Sequence, residues 1–240
     1  MPWYYAVAER DHEIQNPTSA DKIVLLGRYL GLGPDSRVLD LACGKAGPAA
    51  LLASMYGCSV VGIERSHEFV EAAREHVAEV GVGHLVEIVE ADAHAYPLES
   101  NGWDAILVLG ATFVWDDFAG TLAAIAPGVQ PGGHVVVGEP YWRQWPLPRG
   151  IDDQGFVSLH ETVEKLEAAG LALAALIASN EDDWDRYESL HWRALEEWLA
   201  ENPNDPDAHE IRERHERARE AYLSYERELL GWAMFAGVKL

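Results

Sequence analysis

Cysteine is nearly absent from this chain: Cys43 and Cys58 are the only two in 240 residues. They show no paired spacing and no accompanying histidine pattern, so neither a disulfide framework nor a metal site is expected, and a reducing cytoplasm fits. Long apolar runs are missing too. None approaches the roughly 20 residues needed to cross a bilayer, and the start, Met1 to Asp11, lacks the basic-then-apolar pattern of a signal peptide. The expectation is a soluble cytoplasmic protein with no membrane partner. Positive charge is scarce, with 18 basic residues against 40 acidic ones and a formal net charge of −22. Such a surface repels a phosphate backbone, so nucleic acid is not an expected partner. Neither an internal repeat nor a low-complexity tract is present.

What remains is a globular composition, 48% hydrophobic, in a chain long enough to bury a sizeable core. From Asp35 to about Leu173, short apolar runs alternate with helical patterns, the mark of β-α-β units and a parallel sheet. Five strands are expected at 37–41, 59–63, 86–89, 105–109 and 134–137, the last after a Pro131-Gly132-Gly133 turn. Helices fit between them: Ala49 to Tyr56 ending at Gly57, His67 to Val80 behind a Ser66 cap and stopped by Gly81, and Asp117 to Ala126. Ser158 and Glu161 have capping-box spacing and open another, ending near Gly170. Leu171 to Ala178 reads as a sixth strand and Trp232 to Lys239 as a seventh.

Two regions stand outside this alternation. Thr18 to Leu30 reads as a helix capped by Thr18. Asp182 to Leu230 is strongly helical, with a turn at Asn202 to Pro206. In its second half Ile211, His215, Ala218, Tyr222, Tyr225, Leu229 and Trp232 recur in steps of four and three, one long face expected to be packing. The chain is thus expected to be one domain over 1–240. Its parts are an amino-terminal cap segment and helix (1–34), a binding core (35–180), a helical insertion (181–231) and a last strand (232–240).

Chemistry is concentrated in Val38-Leu39-Asp40-Leu41-Ala42-Cys43-Gly44-Lys45-Ala46-Gly47, where a strand ends, a small-residue turn follows and a helix begins. Small residues let backbone N–H groups approach a ligand, and the helix start favours negative charge there. Read as G-x-G-x-x-G, positions 42, 44 and 47 are Ala, Gly and Gly, so a NAD-dependent oxidoreductase competes. Three acids separate the readings. Asp40 ends the first strand, where it suits a cationic amine and would repel a pyrophosphate. Glu64 ends the second and can accept two ribose hydroxyls. Asp92 follows the third and can accept from an adenine amino group.

In this order the residues resemble the class I S-adenosylmethionine (SAM)-dependent methyltransferases, of the small-molecule, type-11-like kind. Asp40 to Gly47 is similar to their first motif, D-x-G-x-G-x-G; Glu64 resembles their ribose-binding acid and Asp92-Ala93 their adenine-side motif. Trp103-Asp104 and Pro131-Gly132-Gly133 also match. Ala42 and Ala46 depart from the pattern by replacing two of three glycines, and Gly47 is expected to relieve the second. The resemblance implies a Rossmann-like α/β three-layer sandwich, with a seven-stranded, mostly parallel sheet in the order 3-2-1-4-5-7-6. It also implies a helical insertion between strands six and seven that acts as a lid. It implies that Asp40, Ala42 and Gly44 hold the methionine part of SAM with Gly110 on its far side. Glu64 would take the ribose, Arg65 flank the adenine, and Asp92 with the Ala93 backbone N–H read the adenine edge.

The methyl group would then face the loops 110–117 and 139–143, whose aromatic walls and acids suit a small-molecule acceptor. Methyl transfer is an in-line displacement that needs alignment, exclusion of water and, for weak nucleophiles, a base. The candidate bases are Glu139, Tyr141, Asp116 and His12, with His12 weighed against a surface or capping histidine and Glu139 against a hydrogen-bonded structural carboxylate. Trp115, Trp142, Trp184, Tyr187 and Trp192 either form an aromatic cage for a cationic acceptor or, more commonly, pack core and lid. A non-catalytic SAM-binding protein is the third reading. Monomer and homodimer both suit the insertion.

Overall fold

The strands Arg37–Leu41 (β1), Ser59–Glu64 (β2), Val86–Glu90 (β3), Trp103–Leu109 (β4), Val129–Trp142 (β5), Leu171–Ala178 (β6) and Leu230–Lys239 (β7) form one sheet, ordered β3-β2-β1-β4-β5-β7-β6. The computed structural model describes residues 3–240, so residues 1 and 2 of the amino-terminal segment lie outside the described residues. β1 to β5 pair in parallel, whereas β7 runs antiparallel to both β5 and β6. The expected sheet order and Rossmann-like class are therefore what the chain adopts.

Successive side chains in a strand point to opposite faces, and here both faces are apolar. Val38, Val60, Leu107 and Val136 pack against one layer of helices: Ala20–Tyr29 (α2), Gly47–Tyr56 (α3) and His67–Val80 (α4). Their alternates Leu39, Ile63, Ile106 and Val135 pack against the other, Phe118–Ile125 (α5) and Leu159–Ala168 (α6). That double coverage is why the central strands read as unbroken apolar runs. The capping expectations for α4 and α6 hold, Ser66 accepting from Phe69 N and Ser158 forming a full capping box with Glu161.

The remaining helices lie over one end of the sheet. Trp3–Ala8 (α1) packs against Glu181–Glu201 (α7) and Ala208–Ala221 (α8) through Tyr4, Ala8, Leu195, Leu199 and Ile211. Asn180 and Asp183 make a capping box at the start of α7, and Lys22 of α2 pairs with the same Asp183 carboxylate. No helix among the described residues is long and apolar enough to cross a membrane.

Four local expectations need correction. α2 begins at Ala20 behind Ser19, while Thr18 is buried with its hydroxyl unpartnered. Pro131 to Gly133 is no separate turn: β5 runs through it, and the pairing with β4 slips between Trp103 and Ala105. The helical face from Ile211 keeps its period only to Tyr222, although Tyr225 and Leu229 beyond it still pack, partly buried, against the core. A π-helical turn, Tyr222–Glu226, then breaks the 3.6-residue period, and Trp232 belongs to β7. Ala218, on the expected packing face, is exposed.

Candidate active site

The carboxyl ends of β1, β2, β4 and β5 open into one cavity of about 1380 Å³, closed by the amino-terminal segment and the first turns of α7. Ligands of open α/β sheets bind at this end, where strand order reverses between β1 and β4. The volume exceeds the roughly 300–1,000 Å³ of a single-ligand pocket, which leaves room for two molecules side by side.

The turn after β1 supplies its floor. Ala42 (φ 57°), Gly44 (φ 56°) and Ala46 (φ 61°) all take the left-handed conformation. Glycine adopts that shape freely, whereas alanine is strained there by about 1–2 kcal/mol. The loop geometry therefore survives the two alanines. Gly47 does not relieve Ala46: it is the first residue of α3, and its missing side chain serves another purpose. A Cβ there would lie 2.1 Å from the Glu13 carbonyl oxygen, so glycine lets residues 9–17 lie directly on the turn.

Two acids face each other across this turn. The Glu64 carboxylate accepts from Gly44 N at 3.1 Å and from Arg65 N and Ser66 N at 2.8 Å each. Three backbone donors fix its orientation while leaving lone pairs for further donors. Asp40 is buried, and its Oδ2 has no partner. Burial, with the Glu64 charge nearby, pushes Asp40 up to about 7. An orphaned carboxylate oxygen beside a cavity calls for a donor, and a cationic amine meets that need. Arg65 and Asp92 lie exposed on the rim beside buried Ala93, all three lining the cavity, and Asp92 Oδ1 accepts from His94 N.

At the other end Gly110 (φ 75°) closes β4 and the 3-10 turn Thr112–Trp115 follows. Thr112 Oγ1 donates to Glu139 Oε1 at 2.7 Å. Glu139 is buried, and burial pushes its carboxyl up to about 7 despite the Thr112 hydrogen bond and the Lys165 charge, both of which favour the carboxylate. Asp116 is exposed and lines the cavity with Glu139.

The other two candidate bases do not line the cavity. The Tyr141 ring folds across Gly231, its partner on β7, where a Cβ would meet Tyr141 Cζ at 2.3 Å, and stands edge-on to Phe235. His12 is enclosed between the amino-terminal segment and α7, its Nε2–H donating to the Tyr187 carbonyl at 3.0 Å and its ring 4.5 Å from that of His191. Burial pushes it down to about 4, so it is a neutral packing histidine. The five-residue aromatic cage also fails to assemble. Trp142 is buried with its indole N–H on the Asp153 carbonyl, and Trp192 packs on Tyr222. Only Trp184 and Tyr187 of the five line the cavity.

Sequence reasoning missed the residues that roof the site. Gln15 Oε1 accepts from Lys45 N at 2.6 Å, Gln15 Nε2 donates to Glu9, and Lys45 Nζ donates to the Glu9 and Arg10 carbonyls. Asn16 donates to the Leu109 carbonyl and sits over Gly110, where a Cβ would meet its Oδ1 at 2.3 Å. The available signal was indirect: glycines at 44, 47 and 110 mark places where another segment comes close. Lys165 and Trp232 reach the cavity from α6 and β7, and no local motif marked them.

One unpartnered buried acid, one acid anchored by backbone N–H groups and a third acid on the rim thus line a single cavity at the carboxyl end of a Rossmann-like sheet. Fold and site together define a class I SAM-dependent methyltransferase. The family described as "Methyltransferase domain" matches residues 38–133, and a family of unknown function matches 164–237. The Escherichia coli (strain K12) protein YjhP, described as uncharacterized, is 32% identical over 98% of either chain. Its X-ray structure gives a TM-score of 0.93 over 100% of both. SAM-dependent methyltransferases of Thiobacillus denitrificans and Geobacter sulfurreducens, both solved with S-adenosyl-L-homocysteine, are 30% and 32% identical, cover 100% of this chain and 99% of their own, and give TM-scores of 0.93. The chain belongs to the class I SAM-dependent methyltransferase family; it is an enzyme and SAM is its methyl donor. The oxidoreductase and non-catalytic readings are set aside.

Proposed function

We propose that this enzyme methylates a small-molecule acceptor by in-line displacement, with Glu139 as the general base. The observation that carries the reading is Glu139 itself. It is a buried carboxyl held near neutrality at the cavity wall, in the same enclosure as the Asp40 and Glu64 carboxylates. A base with its pKa near the working pH combines a populated carboxylate with useful proton affinity.

SAM supplies an electrophilic methyl group on its sulfonium. Asp40 receives the amine of its methionine part, with Ala42, Gly44 and Gly110 forming the surfaces against which that part lies. Glu64 receives the ribose hydroxyls, Arg65 flanks the adenine, and Asp92 with the Ala93 N–H reads its edge. Asp116, at the rim, is a second acid available to the acceptor. Residues 5–17 of the amino-terminal segment and the first turns of α7 around Trp184 and Tyr187 close over the cavity. A roof at both margins favours an acceptor small enough to be enclosed, and enclosure keeps water from the displacement.

The test is calorimetric titration with SAM and with S-adenosyl-L-homocysteine, repeated for Asp40→Asn and Glu64→Gln. Loss of at least about tenfold in SAM affinity in each is expected, because each substitution removes a charge-assisted contact worth about 1.5–3 kcal/mol. Unchanged affinity in both would overturn the assignment of these residues. Glu139→Gln is expected to retain SAM binding and lose turnover.

A further inference from the structure

The acceptor end of the cavity carries one buried acid and one cation that do not pair with each other. Glu139 projects from β5 and Lys165 from the second turn of α6, and both line the cavity. Lys165 is half-buried, its charge is felt by Glu139, and yet among the described residues it makes no ion pair within 4.0 Å. Glu161, one turn earlier on α6, also senses the Lys165 charge from beyond ion-pair distance, so the ammonium is left available to a ligand. Glu139 has one oxygen taken by Thr112, and its other oxygen has no described partner. Phe118, Phe156 and Trp232 are among the apolar side chains that line the same cavity.

Two opposite charges, separated and each facing one enclosed space, recognise a ligand with the complementary pair. Resting on the reading above, we propose that the methyl acceptor is an amino acid-type zwitterion, its amine at Glu139 and its carboxylate at Lys165, and that the enzyme is an N-methyltransferase. The ammonium gives one proton to Glu139, which exposes the nitrogen lone pair. The nitrogen then forms a bond to the methyl carbon as the carbon–sulfur bond of SAM breaks, and the electron pair of that bond stays on sulfur. The products are the N-methyl ammonium acid and S-adenosyl-L-homocysteine, and the proton on Glu139 passes to water. A neutral alcohol would leave Lys165 unmatched, and a hydroxy acid would present no cation to Glu139.

The experiment compares matched compounds with the full-length enzyme and SAM, following S-adenosyl-L-homocysteine release and the mass of the methylated product. L-Phenylalanine, L-leucine and β-alanine are each set against the amine lacking the carboxylate and the hydroxy acid lacking the amine. At least one amino acid is expected to be N-methylated, with kcat/KM about tenfold or more above its decarboxylated partner, chiefly through KM. Lys165→Ala is expected to erase that difference while leaving S-adenosyl-L-homocysteine affinity within about twofold of wild type. Preference for the amine or the hydroxy acid, an equal loss for all compounds in Lys165→Ala, or no turnover of any amino acid overturns the proposal. Calorimetry with S-adenosyl-L-homocysteine separates the two readings: intact binding with the wrong acceptor preference removes only this one, whereas Asp40→Asn and Glu64→Gln variants that bind normally remove the cofactor-site assignment.

Discussion

Thr112 Oγ1 and Glu139 Oε1 lie 2.7 Å apart, so the hydroxyl of the turn after β4 steadies the carboxyl at the end of β5. The hydrogen bond favours the charged form and opposes the burial that drives Glu139 upward to about 7. Thr112→Val keeps the shape and removes the donor. Glu139 is then expected to rise further, and the acidic limb of kcat/KM against pH to move alkaline by about one unit, the equivalent of a hydrogen bond to a charged group. Activity at pH 7 falls, while activity at pH 9 stays near wild type. An unmoved limb would remove Glu139 from the role of base.

Gly47 meets the amino-terminal segment at the Glu13 carbonyl, a backbone atom that cannot rotate aside as a side chain would. Gly47→Ala is expected to lower stability in urea by about 2 kcal/mol through overpacking and to loosen the roof carried by Gln15 and Asn16. SAM affinity should fall with it, and protease should cut within residues 9–17 sooner. Gly81→Ala is the control. Gly81 ends α4 at φ 80° with open space around it, so the change is expected to cost about 1 kcal/mol of backbone strain and to leave SAM affinity alone. Equal effects of both on affinity would mean that the roof does not depend on the close approach at Gly47.

Much of this architecture was legible because its signals are local. Strand β1, the turn to Gly47 and the Ser66 and Ser158 caps each rest on neighbouring residues, and the three acids fall at strand ends where chain order alone puts them together. The failures share one cause, which is pairing at long range. Tyr141 has the same parity along β5 as Glu139, and alternation alone places both toward one face. What turns its ring from the cavity is the absence of a side chain at Gly231, some ninety residues on. Trp232 continues a helical period in the sequence, but a π turn and the pairing with β5 carry it into the sheet, with its ring over Gly138. Gln15 and Asn16 carry no motif because their partners, Lys45 and Leu109, belong to other loops.

His12 shows how a buried titratable group can matter to stability without entering the chemistry. Its Nε2–H is held by the Tyr187 carbonyl, its Nδ1 is buried without a partner, and His191, Tyr187, Glu9 and Lys45 are the groups that face it. Burial, with His191 alongside, puts its folded value near 4, below the 6.5 or so of an unfolded chain. As pH falls the unfolded state therefore takes the proton first, so the contribution is full above about pH 6.5 and is lost progressively as pH falls towards 4. Asp40 and Glu139, both raised to about 7, run the other way: the folded chain gains on the unfolded one as pH falls from 7. Wild type must for that reason be compared with His12→Asn rather than judged alone. Urea denaturation at pH 7.5 and at pH 5.5, clear of the acidic isoelectric point, is expected to show the wild-type advantage over His12→Asn shrinking by about 1 kcal/mol at the lower pH. A constant offset would mean that the imidazole titrates normally and is not buried neutral. In the same variant the acidic limb of kcat/KM near pH 7 is expected to stay in place, since Glu139 sets it; a limb that vanished would restore His12 as the base.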